Sequence, residues 1–278
     1  MKSIDPQALP TRELHGYLLG AVGPRPIAFA STIDTEGRPN LSPFSFFNVF
    51  SANPPTLIFS PARRVRDNTT KHTLENALRV DETVINIVNY DIVEQASLAS
   101  TEYEEGVNEF TKAGLTELPS ERVKPPRVKE SPVQLECKIK EVIHLGEHGG
   151  AGNLVVCEVV LMHIDERILD ENGKISPHKI DLVGRMGGAW YCRANETALF
   201  EVAKPSGQGI GIDALPDSIR NSDILTGNDL AQLANRDALP SLEDLTHVNE
   251  SVKPGDHEQA RQFLLEGKVD AAWKALLT

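Results

Sequence analysis

Cysteine is scarce in this 278-residue chain: three residues, Cys137, Cys157 and Cys192, odd in number and far apart in sequence. That excludes a disulfide scaffold, and reduced thiols in a cytoplasm are the simplest account of them. No apolar run approaches the roughly 20 residues that a membrane helix needs. The opening segment, MKSIDPQALPTRELHGYLLG, lacks a basic start followed by an apolar stretch, so a secretory signal is not expected. Positive charge is in deficit as well. Lys and Arg total 28 against 40 Asp and Glu, a net charge of −12, whereas a phosphate backbone needs a basic face. The expectation is a cytoplasmic protein that binds neither nucleic acid nor membrane. Several catalytic signatures are missing too. There is no G-x-S-x-G elbow and no Walker loop, and the glycines of GQGIGID at 207–213 follow no apolar strand. His144, His148 and His163 straddle a glycine-rich loop, but no Cys or carboxylate stands at metal-ligand spacing, so no metal site is expected.

What remains is a chain able to build a core, 40% hydrophobic and 24% charged. Strand-like patterns fall at 26–33, 41–48, 56–60, 83–89, 133–139 and 154–164. Gly37, in DTEGRPN, offers the positive φ of a hairpin turn between the first two. Helical spacing appears at 70–79, 90–100 and 257–277, the last interrupted by Gly267. Residues 101–132 read as a polar, proline-punctuated excursion with at most short helices. Apolar and polar residues alternate from Val133 to Ile139, which predicts one wet face. Segment 154–164 is apolar on both faces, which predicts cover by core on one side and by another subunit or the C-terminal segment on the other. About six strands with few helices predict a mainly β chain, a six-stranded antiparallel barrel with flanking helices. The barrel domain is expected over 1–199 and a helical extension over 200–278.

Three stretches are candidates for chemistry. NLSPFSFFN at 40–48 reads either as a barrel strand with aromatic core positions or as a slot whose backbone groups hold a planar heterocycle. Segment 60–76, SPARRVRDNTTKHTLEN, gathers Arg63, Arg64, Arg66 and Lys71 within nine residues that hold a single acid, Asp67, between a strand end and a helix start. Any one of these arginines is accounted for by a solvated loop. The whole junction, in so acidic a chain, points to an anion site, because a helix N-terminus carries free N–H groups and partial positive charge. In DLVGRMGGAWY at 181–191, Gly184, Gly187 and Gly188 permit a tight turn around Arg185. That arginine faces a phosphate, a planar ring, or merely a carboxylate that pins the turn. Cys137 and Cys157 fall at strand positions expected in the core.

Taken in order, GPRPIAFASTID at 23–34, NLSPFSFFN at 40–48, NPPTLIFSP at 53–61, KHTLEN at 71–76, VINIV at 84–88 and VGRMGGAWY at 183–191 resemble the flavin reductase-like, FMN-binding split-barrel family. The resemblance covers about residues 15–195, and the tail resembles the extension of one branch of the family. It implies a homodimer of split barrels with one FMN per subunit near the interface. Carried over by position, Ser60, Lys71, His72 and Thr73 match phosphate-binding positions, with Arg63 and Arg64 in a loop of variable length. Ser45, Phe46, Phe47 and Asn48 match the strand whose backbone holds the isoalloxazine edge, and Arg185 matches a flavin or phosphate neighbour. His72 stands where the family more often has Asp. The activity implied is NAD(P)H-dependent flavin reduction, followed by electron delivery to a small-molecule or protein acceptor. The alternative is a flavoredoxin-like FMN carrier without direct NAD(P)H activity. A bound cofactor would carry the chemistry, so no catalytic side chain is expected.

Overall fold

The computed structural model describes residues 1–205 and 207–277 and divides into two compact units, Met1–Phe200 and Glu201–Thr278. In the first, helix α1 (Thr11–Ala21) precedes strands β1 (Ala28–Ile33), β2 (Pro39–Phe44), β3 (Phe47–Ala52) and β4 (Pro55–Phe59). Helix α2 (His72–Arg79), β5 (Glu82–Ile87), α3 (Val93–Leu98) and α4 (Glu109–Ala113) follow. The short ladder β6 (Glu117–Leu118) with β7 (Arg127–Val128) leads to the long hairpin β8 (Val133–His144) and β9 (Asn153–Ile164). Helix α5 (Pro177–Ile180) and the pair β10 (Val183–Arg185) and β11 (Tyr191–Arg193) complete the unit.

The main sheet has seven strands among the described residues, in the order β2-β1-β5-β8-β9-β4-β3, all antiparallel. The expected count of six is corrected here. The run at 41–48 is two strands, because the chain bends at Ser45–Phe46, and its halves lie at opposite edges of the sheet. That placement alone closes the barrel. Phe44 and Phe47 are three residues apart, so the two edges come within about 11 Å there. The edges share no ladder, which leaves the barrel split. Its interior is filled by Ala30, Phe44, Leu57, Phe59, Ile85 and Cys137 with their neighbours. A second cluster under α3 and α4 covers the other face of β1 with Phe29, Leu41, Ile92, Ala96 and Phe110. Cys137 and Cys157 are both buried, and burial pushes the Cys137 thiol up to about 12.

One face differs from expectation. The first part of the outer face of β8 is polar yet dry, with Gln134 and Glu136 buried beneath segment 119–131. Glu136 accepts from the N–H groups of Glu121 (2.9 Å), Arg122 (2.6 Å) and Val123 (3.2 Å), and His163 Nε2 lies 2.7 Å from its Oε1. Gln134 donates to the carbonyls of Val128 and Ser131, both at 3.0 Å. The polar residues of the alternation satisfy loop backbone rather than water. Conversely, β9 is buried on one face only, and Val160 and Met162 stand exposed within the single chain.

The Glu201–Thr278 unit is helical. It holds α6 (Asp217–Arg220), α7 (Gly227–Ala234), α8 (His257–Leu265) and α9 (Val269–Leu277). Thr226 and Asp229 form a capping box at α7. Trp273 is fully buried among Leu233, Leu245 and Ala260, and its indole donates to Leu233 O at 3.2 Å. Gly267 separates α8 from α9 with φ at 72°.

Candidate functional site

Strand β4 ends at Phe59, and Ser60 turns the chain into the cationic loop. The Ser60 N–H donates to Phe46 O at 2.8 Å, and its Oγ accepts from the Asn153 N–H at 3.0 Å. Ser60 therefore ties the β2–β3 link to the start of β9. The loop then leans on the turn of the β8–β9 hairpin. Arg63 N–H donates to Ala151 O, Gly150 N–H donates to Arg63 O, and Asn68 Nδ2 donates to Glu147 O. A Cβ on Gly149 would lie 2.9 Å from Arg64 O, so this approach is open only to glycine. The glycine-rich HLGEHGGAGN stretch thus buttresses the loop; His144 Nδ1 faces Asn153 Oδ1 at 2.6 Å, and no metal-ligating group of three occurs among the described residues.

The loop's cations have different fates. Arg63 is spent on Asn68, with Nε donating to its Oδ1 and a terminal nitrogen to its carbonyl, both at 2.7 Å. Asn68 adopts positive φ, which asparagine tolerates. Arg64 pairs with Glu102 at 2.9 Å and donates to Thr69 Oγ and to the Thr70 carbonyl. Arg66 pairs with Asp67 and Glu102, and the bonds from Thr69 and Arg66 hold the Asp67 carboxyl down to about 2. Lys71 is the exception. Among the described residues its ammonium makes no hydrogen bond or ion pair. It lies 5.2 Å from the centre of the Phe44 ring, where burial, and then the charge of Arg64, hold it below the usual lysine range.

Lys71 is also the N-cap of α2, and no side chain accepts from that helix's free N–H groups. His72 opens the helix, half-buried. Thr73 is turned inward, 1% exposed, and its Oγ accepts from Asn40 Nδ2 at 2.9 Å. Asn40, Thr73 and Asn76 join with Thr32 in a buried polar seam that seats α2 on β1 and β2. The corner thus joins one uncompensated ammonium to an uncapped helix start, a donor set that fits a phosphate monoester.

The β2–β3 link runs past this corner. The N–H groups of Ser45 and Phe46 make no hydrogen bond among the described residues, while Phe46 O is taken by Ser60. Phe46 stands half out of the surface with its ring against His15. Phe47 packs on the core, and exposed Asn48 accepts from the Val49 N–H. On the far side of the link opens a cleft of about 280 Å³, lined in part by Pro43, Ser45, Ser97, Arg185 and Tyr191. Arg185 carries no ion pair among the described residues; it lies over the Tyr191 ring, 4.6 Å from its centre. Gly184 permits the close approach behind it, since a Cβ there would meet Pro24 at 2.6 Å.

Sequence reasoning passed over Arg25. It is 6% exposed, and its guanidinium donates to the carbonyls of Leu19, Val22 and Met186 and, at 3.5 Å, to Ser45 Oγ. It therefore ties the C-terminal end of α1, the glycine turn and the link together. The signal was present: an arginine between two prolines, three residues ahead of β1.

The fold is an antiparallel split barrel, with an ammonium unpaired among the described residues and an uncapped helix start beside an open backbone edge. Residues 21–179 match the model of the flavin reductase like domain, and the chain belongs to that family. It is 40% identical over 181 residues to an uncharacterized protein of Aquifex aeolicus, covering 65% of this chain and 90% of that one. Among solved structures it is similar to nitrilotriacetate monooxygenase component B from Bacillus cereus (30% identity, TM-score 0.68, 73% of this chain and 98% of that one). It is also similar to the flavoredoxin of Desulfovibrio vulgaris (26% identity, TM-score 0.55, 68% and 94%). The protein is a flavoprotein of the oxidoreductase type, and no helix among the described residues is long and apolar enough to cross a membrane.

Proposed function

We propose that the protein is an FMN-dependent NAD(P)H:flavin oxidoreductase that works as a homodimer. The observation that carries the reading is Lys71, an ammonium with no hydrogen bond or ion pair among the described residues, at an uncapped helix start. A phosphate monoester distinguishes FMN from riboflavin, and this corner supplies what a phosphate needs. Lys71 and the first N–H groups of α2 would hold the phosphate, with Ser60 fixing the adjoining chain. The N–H groups of Ser45 and Phe46 would face the edge of the ring system, where donors favour negative charge on reduction. Bound flavin would supply the hydride acceptor; the chain's task is to bind, orient and shield it. No acid–base dyad is needed for that work.

The homodimer reading rests on apolar surface left bare by one chain. Val49 and Phe50 of edge strand β3 are each 64% exposed, and Met162 of β9 is exposed as well. A closed pairing of copies would bury such edges. Light scattering is expected to give twice the chain mass. A monomer that persists at high concentration would remove the dimer from the account.

The donor is tested by mixing FMN-loaded protein with NADH or NADPH without oxygen. The expected result is prompt bleaching of the yellow colour by at least one of the two. Absence of bleaching with both would assign the protein to the carriers.

A further inference from the structure

The cleft beside the β2–β3 link has a chemistry of its own. Its lining is mixed: Ile27, Pro43, Val93 and Ala96 supply apolar surface, and Ser45, Ser97 and Ser100 supply hydroxyls. Arg185 and Tyr191 close one side, and none of the lining residues is acidic. The Arg185 guanidinium has an aromatic face beneath it and no anion beside it. Behind it, the charge of buried Arg25 meets only carbonyls and a hydroxyl. The two arginines feel each other, since burial first and Arg185 second hold Arg25 below its usual range. Two guanidiniums without an ion pair among the described residues, Arg185 in the wall and Arg25 behind it, in a chain of net charge −12, set a local positive potential that an anion would relieve.

Size narrows the ligand. At about 280 Å³ the cleft lies just below the span of small-molecule sites, which runs from roughly 300 to 1,000 Å³. It would enclose one ring with a substituent, not a dinucleotide. A guanidinium fork matches a carboxylate with two parallel hydrogen bonds.

We propose that this cleft binds a small planar organic acid, its carboxylate on Arg185 and its ring against the apolar walls around Pro43. Resting on the flavoprotein reading, this places the acid beside Ser45, whose N–H would face the edge of the flavin ring system. The neighbouring recess, about 190 Å³, contains Glu94 and Arg193, and Arg193 is already paired with Asp181 at 2.6 Å. It offers no such free cation.

The test uses the full-length purified protein, with benzoate, benzamide and inorganic phosphate as probes. Trp190, 77% exposed and next in sequence to the lining residues Ala189 and Tyr191, is the reporter. Its fluorescence needs no flavin, and flavin content is measured separately by the visible spectrum of the same samples. Benzoate is expected to give a saturable change and a rise in Tm, with benzamide at least tenfold weaker. Arg185→Met is expected to weaken benzoate at least tenfold, and Arg185→Lys to restore part of the loss. Equal binding of benzoate and benzamide would overturn the proposal, as would a folded Arg185→Met protein that binds benzoate like the parent. Inorganic phosphate that competes as well as benzoate would overturn the organic-acid assignment. Should Arg185→Met fail to fold, the benzoate–benzamide comparison on the parent still decides. Failure of the flavoprotein reading would appear instead as protein that takes up no flavin, whatever benzoate does.

Discussion

Lys71→Ala is expected to weaken FMN binding by about 10- to 150-fold. A hydrogen bond to a charged group contributes about 1.5–3 kcal/mol, and each 1.4 kcal/mol is roughly a factor of ten. The residue suits the test because its ammonium has no other work. Arg63 and Arg64 hold Asn68, Glu102 and Thr70, so their loss would disturb the loop itself. Lys71 holds nothing among the described residues beyond its place over Phe44. Riboflavin, which lacks the phosphate, should bind the variant and the parent alike. The flavin-free variant should not be less stable than the parent. A lysine whose folded pKa is lowered binds fewer protons folded than unfolded between its two pKa values, so stability rises with pH there. Below that window the buried charge costs stability, and alanine removes the cost. The same shift predicts that FMN affinity falls as pH rises, starting below the pH at which an ordinary lysine titrates. Fluorescence titration of FMN and riboflavin across pH, on both proteins, checks the three binding points, and thermal unfolding of the flavin-free proteins checks the stability.

Glu136→Leu is expected to destabilise the barrel unit by at least about 3 kcal/mol, the range seen when one partner of a buried charged network is removed. Three backbone N–H groups of segment 119–131 and His163 Nε2 would lose their acceptor inside the protein. Arg127, whose Nε lies 3.9 Å from the same carboxylate, would lose its counter-charge. Glu136→Gln keeps one acceptor oxygen and should cost less. Burial raises the Glu136 pKa, but the N–H donors of Glu121 and Arg122 and the His163 bond outweigh it, and the net shift is downward. The stabilisation is therefore fully present above the ordinary carboxylate range, near 4.3, and is lost as pH falls through the lower folded value. Denaturant unfolding of parent and Glu136→Gln should differ by a constant amount near neutrality and converge in acid. A gap that stays constant into strong acid would contradict this role.

Much of the barrel was legible because its strands carry short-range signals. The DTEGRPN turn, the stop at Pro54-Pro55 and the apolar run at 154–164 mark their elements locally, and Gly37 takes the positive φ (84°) that its turn requires. The bend at Ser45–Phe46 was not legible, because nothing in SPFSFF separates one long strand from two strands at opposite edges. The dry face of β8 was hidden for a related reason. Gln134 and Glu136 look solvent-facing until a loop whose own sequence predicts no structure comes to lie on them. In the candidate site, the concentration of cations at 63–71 was plain. The division of labour was not: which cations are neutralised depends on Glu102 and Asn68, and Glu102 lies more than thirty residues away. Arg25 and the Gly149 buttress act only through contacts distant in sequence.

The central claim is that a cationic corner at the start of α2 grips the phosphate of FMN. Its most direct test is the affinity of flavin-free protein for FMN and for riboflavin, measured side by side at neutral pH and low salt. The account predicts that FMN binds at least tenfold more tightly, and that Lys71→Ala removes most of the difference. Equal affinity for the two flavins would contradict it.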